Sequence, residues 1–345
     1  MTTLEDIRRV VGGVDTHGDV HVAAAVDEAG GVLGTASFAT RPSGYRALLR
    51  WLSAFGEVSV VGIEGTGAYG AGLARYLGDQ SVAVLDVDRP NRQVRRRQGK
   101  SDTLDAIVAA RTALAGGAGG AKVRRGAVES LRVLLVAHRS ATQARTKALV
   151  QTRHLLYCGP DELRERLHSL SADALVHRAA RLRPGPDIAD VTAATKRSLR
   201  TLAARIEHLD AERAELVAGI DELTQGAAPG LRGLHGVGPL TAAALLVAAG
   251  ENPERLRSEA AFAHLCGVAP LAASSGKVSR HRLDHGGDRH ANSALWRIVL
   301  VRMISDPRTR CYVERRTKEG RSTREVMRSL KRYVAREVYH HLPRR

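Results

Sequence analysis

The sequence predicts an α/β layer fold with a mixed sheet over its first third, followed by a mainly helical remainder. Three observations carry this. Short Val- and Ala-rich runs alternate with helix-like runs up to about residue 115. A glycine-rich stretch, GGAGG at 116–120, then interrupts the pattern and is the clearest linker candidate. From about 127 to 225 the spacing is helical, with breaks around Pro160 and the PGP at 184–186.

The elements follow in order. Residues 12–26 and 31–38, joined by DEAGG, read as a hairpin. A helix fits 45–55, a buried strand 58–63, a helix from about 68 to 77 and a second buried strand 82–87. The next helix starts near Ser101, an N-cap residue type, and runs through LDAIVAARTAL. Within 127–225, Leu199, Leu202, Ile206, Leu209, Leu216, Ile220 and Leu223 recur at spacings of three and four, with Arg213 at the polar seam position. This heptad stripe suits a coiled coil or helical hairpin, within or between subunits; the plainer reading is an amphipathic helix on its own domain. A further globular unit starts after QGAAPG. Its tail, 308–345, holds thirteen Lys or Arg against four Glu and reads as a phosphate-binding surface, the plainer reading being a solvated helix face.

At 345 residues the chain is long enough for more than one core. Its net charge of +17 and pI near 10.6 point to a polyanionic partner, nucleic acid first. An anionic membrane is disfavoured: the longest apolar run, Thr241 to Gly250, is too short to span a bilayer. MTTLEDIRRV lacks the pattern of a signal peptide, so a cytoplasmic protein, nucleoid-associated when on DNA, is expected. Cys158, Cys266 and Cys311 are far apart and read as reduced thiols rather than a disulfide framework or zinc site. Aromatics are only 3% of residues, which weakens models in which bases stack on aromatic platforms.

Asp15 sits in the first strand among apolar neighbours, and Glu64 ends VSVVGIE before a run of glycines. A carboxylate there is costly unless a cation neutralises it. Asp102 and Asp105, three apart at a helix start, share a face. Four such acids could hold two Mg²⁺ ions, as in phosphodiester chemistry. Each acid alone is weak; the order first strand, fourth strand, later helix is that of an RNase H-like fold. Asp86 and Asp88 are competing ligands, though DVDRP reads more simply as a strand entering a turn. Beside the site, RPNRQVRRRQGK carries Arg92, Arg95, Arg96, Arg97 and Lys100 and no acid, which suits a phosphate backbone.

A second constellation lies further on. LHGVGPLTAAALL has the hhGhG form of a helix-hairpin-helix turn, in which backbone N–H groups near Gly236 and Gly238 could take a phosphate; a plain helix start is the alternative. Then Ser274 and Ser275 precede Lys277, Arg280, Arg282 and Arg289. Such cations could stabilise the transition state of a serine attacking phosphorus, although SSGK is also common loop composition.

Together, VDTHGDVHVAAAV, VVGIEGTGAYG, GKSDTLDAIVAAR, GVGPLTAAALL and SSGKVSRHRLDHGGDRHAN resemble the DEDD transposases of the one-ten family of bacterial insertion sequences, over nearly the whole chain. The resemblance implies a RuvC-like (RNase H-like) domain at 1–120, a helical coiled-coil region at 121–228 and a C-terminal transposase domain at 229–345. It implies Mg²⁺ on Asp15, Glu64, Asp102 and Asp105, and covalent attack on DNA by Ser275, with Ser274 as the alternative. It further implies target and donor DNA as substrates, a structured bridge RNA as guide, and dimers that assemble into a tetramer. Two other readings stay open: a RuvC-like nuclease or Holliday-junction resolvase without covalent serine chemistry, and a non-catalytic nucleic-acid-binding protein on a degenerate fold.

Overall fold

The computed structural model describes residues 8–87, 101–117, 119–122, 125–252, 256–272, 281–282, 284 and 286–343. They fall into two compact units, Met1–Arg124 and Arg125–Arg345.

In the first unit, β1 (Arg9–Asp15), β2 (Val20–Val26) and β3 (Val32–Ala39) form an antiparallel meander. The expected single strand over 12–26 is thus two strands, because Thr16 to Asp19, with Gly18 among them, turn the chain back on itself. Next come α1 (Pro42–Ser53), β4 (Glu57–Glu64), α2 (Ala71–Asp79), β5 (Ala83–Val87) and α3 (Asp102–Leu114). Strand β4 runs parallel to β1, and β5 parallel to β4. The glycine stretch expected as a linker supplies β6 (Gly119–Gly120), which pairs antiparallel with β5. The mixed sheet has the order β3-β2-β1-β4-β5-β6, an α/β arrangement consistent with an RNase H-like domain.

Strand alternation sorts the two faces of the sheet. Val10, Val14, Val61 and Ile63 point to one side and pack against Leu48 and Leu52 of α1 and Leu73 and Leu77 of α2. On the other side, β1 presents Val11, Gly13 and Asp15, and β4 presents Val60, Gly62 and Glu64. The register matches Val11 with Val60 and Gly13 with Gly62, so the two acids end adjacent strands side by side. Helix α3 covers this face with Ala106, Ala109, Ala110 and Ala113, all buried. A Cβ built on Gly13 would stand 2.2 Å from Ala106 O and Ala110 N, and one on Gly62 2.6 Å from Ala109 O. Glycine on the strands and alanine on the helix therefore permit a backbone-on-backbone approach that larger residues would prevent.

The second unit begins with α4 (Gly126–Tyr157), the short α5 (Asp161–Leu167), α6 (Ala172–Ala180) and the long α7 (Val191–Ala227). The α4–α7 pair is antiparallel: Leu131 and Leu135 share a cluster with Ile220, whereas Ala148 shares one with Leu199, Ala203 and Ile206. Of the heptad residues, Leu199, Ile206, Leu209 and Ile220 are buried, and the seam residue Arg213 bonds Thr142 Oγ1 (3.1 Å) and Asp210 (2.8 Å). The stripe therefore covers α4 of the same chain.

Beyond α8 (Pro229–Arg232), helix α9 (Pro239–Ala249) is apolar all round and almost wholly buried. Around it stand α10 (Glu259–Leu265), a small antiparallel pair β7 (Leu271–Ala272) and β8 (His281–Arg282), α11 (Arg289–Ser305), α12 (Pro307–Lys318) and α13 (Thr323–His340). Most of the described part of the basic tail lies on α12 and α13. Val326, Leu330, Val334, Ala335 and Val338 of α13 face the core, while Arg324, Arg328 and Arg336 are exposed. No helix among the described residues is long and apolar enough to cross a membrane.

Candidate metal centre and basic C-terminal site

The seating of α3 on Gly13 and Gly62 delivers its first turn to the C-terminal end of β1. Asp102 opens the helix and Asp105 lies one turn in, buried; Ser101 occupies the N-cap position, although its hydroxyl makes no capping bond. The backbone N–H of Asp105 bonds Ser101 O at 3.0 Å. Asp15 is 7% exposed. Its Oδ2 stands 3.1 Å from His17 Nε2, which is 3.5 Å from Asp102 Oδ2. One ligand atom from each of Asp15, His17 and Asp102 lies within 4.8 Å of the others, a set able to hold a metal ion. Glu64 and Asp105 are not in this set; Glu64 ends the strand beside β1, and Asp105 acts on Asp15 electrostatically.

The electrostatics describe crowded negative charge. Burial raises the Asp15 carboxyl above its ordinary 3.8; Asp105 and Asp102 push the same way, and His17 opposes them. A divalent cation would remove this conflict.

The loop after β1 is pinned at two points. Thr16 Oγ1 donates to Glu64 O at 2.7 Å, and Thr40 Oγ1 donates to His17 O at 3.0 Å. The competing ligand Asp86 accepts a bond from Thr66 Oγ1 at 2.6 Å; Asp88 lies outside the described residues. So do Arg92, Arg95, Arg96, Arg97 and Lys100.

In the second unit, Ser274, Ser275, Lys277 and Arg280 also lie outside the described residues; Arg282 ends β8 and Arg289 starts α11, both exposed. Around these two, His264 Nδ1 meets Asp284 Oδ2 at 3.2 Å, and Asn292 Nδ2 donates to Cys266 O and Gly267 O, each at 2.9 Å. Lys331 Nζ donates to Asn292 Oδ1 at 2.9 Å; burial and the nearby Arg328 lower its pKa from 10.5. Gly287 packs so tightly on Gly267 that a Cβ would fall 2.1 Å from the Gly267 nitrogen.

The turn at Gly236 and Gly238 is largely committed to internal bonds. Gly238 N–H bonds Thr241 Oγ1 (3.0 Å) and Val237 N–H bonds Leu234 O (3.0 Å). Arg302 and Arg232 hold the His235 and Val237 carbonyls, each at 2.8 Å.

Residues 12–158 match the family profile of IS110 DEDD transposases, described as "Transposase", and residues 228–314 match one described as "Transposase IS116/IS110/IS902 family". The chain belongs to the IS110 family of transposases. No curated protein matches it. The transposase is thus an enzyme that cleaves and transfers DNA strands, and its acidic cluster, assembled by β1 and α3, suits a divalent metal. Sequence reasoning passed over His17, Asn292 and Lys331. For His17 the DTH triplet was a signal, since a ligand-type side chain two residues from a strand-end acid shares its neighbourhood. For Asn292 and Lys331 nothing local marked their pairing across 39 residues.

Proposed function

We propose that the transposase cuts and rejoins target and donor DNA with a composite of two chemistries. Asp15, Glu64, Asp102 and Asp105 hold a pair of Mg²⁺ ions, which when bound would supply positive charge to the scissile phosphate and its leaving oxygen. Ser275, or its neighbour Ser274, is the nucleophile. Its hydroxyl gives up a proton, its oxygen bonds phosphorus, and one ester oxygen of the strand departs with a proton; reversal onto a different strand end completes the exchange. Lys277, Arg280, Arg282 and Arg289 neutralise the phosphate, and the arginines of 92–97 with Lys100 hold flanking backbone.

The observation that carries the reading is the meeting of Asp15 and Asp102 within one ligand set, in a chain that matches two profiles of IS110-family transposases. As the resemblance to the family implies, sequence is read by base pairing to a bridge RNA, which accords with so few aromatics, and dimers joined into a tetramer complete the sites between subunits. The α4–α7 pair acts as the coiled-coil region of that assembly. The test compares Ser275→Ala with Asp102→Asn on labelled donor and target DNA. Both lose recombination, and Ser275→Ala also loses the covalent protein–DNA species. Cleavage by Ser275→Ala that leaves free ends and no adduct selects a metal-dependent nuclease instead. Sequencing the RNA that co-purifies tests the guide.

A further inference from the structure

We propose that His17 is a direct ligand of the metal centre, and that its ring nitrogen tilts the centre from Mg²⁺ toward first-row transition ions, Mn²⁺ above all. This rests on the reading of Asp15 and Asp102 as metal ligands. The argument begins with distances. With bonds of about 2.1 Å, neighbouring ligand atoms of an octahedron lie about 3.0 Å apart and opposite ones about 4.2 Å apart. His17 Nε2 lies 3.1 Å from Asp15 Oδ2 and 3.5 Å from Asp102 Oδ2, and no pair in the set exceeds 4.8 Å. The nitrogen thus stands at a neighbouring-ligand spacing from both carboxylates at once.

The backbone supports that placement. Thr16 ties the loop to the Glu64 carbonyl and Thr40 ties the His17 carbonyl to the start of the next helix, so residues 15–17 are held from two sides. A backbone positioned this way leaves only the side chain to be ordered when an ion binds. Mg²⁺ prefers oxygen donors and releases its waters reluctantly, whereas imidazole suits transition ions. One nitrogen among carboxylates therefore favours Mn²⁺ over Mg²⁺ without excluding the latter.

The experiment loads the full-length protein with Mn²⁺ and reads nitrogen coupling by pulsed electron paramagnetic resonance, alongside Mn²⁺ and Mg²⁺ binding by titration. Imidazole ¹⁴N modulation in the wild type, converted to the ¹⁵N pattern by labelled histidine and lost in His17→Ala, is the expected result. Removing a ligand should weaken Mn²⁺ at least about tenfold, as even outer-sphere partners of metal ligands do, and weaken Mg²⁺ less. The isotope comparison needs no substitution and reports whether any of the 14 histidines binds the ion, so absence of nitrogen modulation overturns the proposal even where His17→Ala fails to fold. Mn²⁺ that binds, is weakened by Asp102→Asn, yet shows no nitrogen modulation overturns the role of His17 while the carboxylate site stands. Mn²⁺ binding that is absent or indifferent to Asp102→Asn overturns the site and His17 together.

Discussion

Gly13→Ala tests the contact on which the metal centre is built. The added methyl would stand 2.2 Å from two backbone atoms of α3, where ordinary contact begins near 3.4 Å. Neither partner is a side chain that can swing aside, so α3 must retreat by about 1 Å. Overpacking of this kind costs about 1–3 kcal/mol, offset by about 0.4–1 kcal/mol from a stiffer unfolded chain. If the proposed roles of Asp102 and Asp105 hold, the larger effect falls on chemistry: both ride on α3, and a misplacement of 1 Å in catalytic groups costs about 100-fold in rate. Urea unfolding would measure the first quantity, and Mn²⁺ titration with metal-dependent strand cleavage the second. Gly120→Ala is the control, since a Cβ there meets nothing within 4 Å. A Gly13→Ala protein with unchanged urea midpoint, metal affinity and cleavage would refute the claim that this approach positions the acids.

Other outcomes follow from the same structure. Asp15→Asn should raise the urea midpoint of the metal-free protein while ending cleavage, because burial and the neighbouring Asp105 and Asp102 make its ionised form unfavourable; a lowered midpoint would contradict this. Burial, with His17 in one case and Arg213 and Arg139 in the other, holds His21 and His138 below the ordinary 6.5. The unfolded chain takes up these protons first, so stability should be level above about pH 6.5 and fall as pH drops below it. Urea midpoints from neutral to mildly acid pH should show that slope, reduced in His21→Gln and His138→Gln. Phe262→Ala, at a fully buried position in the core around α9, should cost about 3–5 kcal/mol by chemical unfolding. Gly287→Ala should destabilise the second unit through its contact with Gly267, checked by the same method.

Much of the first unit was legible because its signals are local. Val- and Ala-rich runs marked the strands, and acids set among apolar strand residues marked where charge gathers. The misreading of 12–26 as one strand came from Val and Ala continuing on both sides of the turn, so that only Gly18 and Asp19 punctuated it. The glycine stretch reads as a linker in sequence because glycine specifies no side-chain contacts; pairing of Gly119 and Gly120 with β5 is decided by backbone bonds. His17 was missed because a histidine near a strand end is ordinary until Asp102, 85 residues away, is placed beside it. The heptad stripe on α7 was visible, but a stripe does not name its partner; α4 became the partner through Leu131, Leu135 and Ala148.

The parallel pairing of β1 with β4 carries a consequence for the cell that makes this protein. Asp15 and Glu64 are neighbours only after a meander and a helix have been threaded between their strands, and Asp102 joins them later still in the chain. Contacts so distant in sequence close late in folding. A nascent or half-folded chain therefore carries the acids without the assembled cluster, and on the proposed reading the capacity to break DNA arises only in molecules that have completed their sheet.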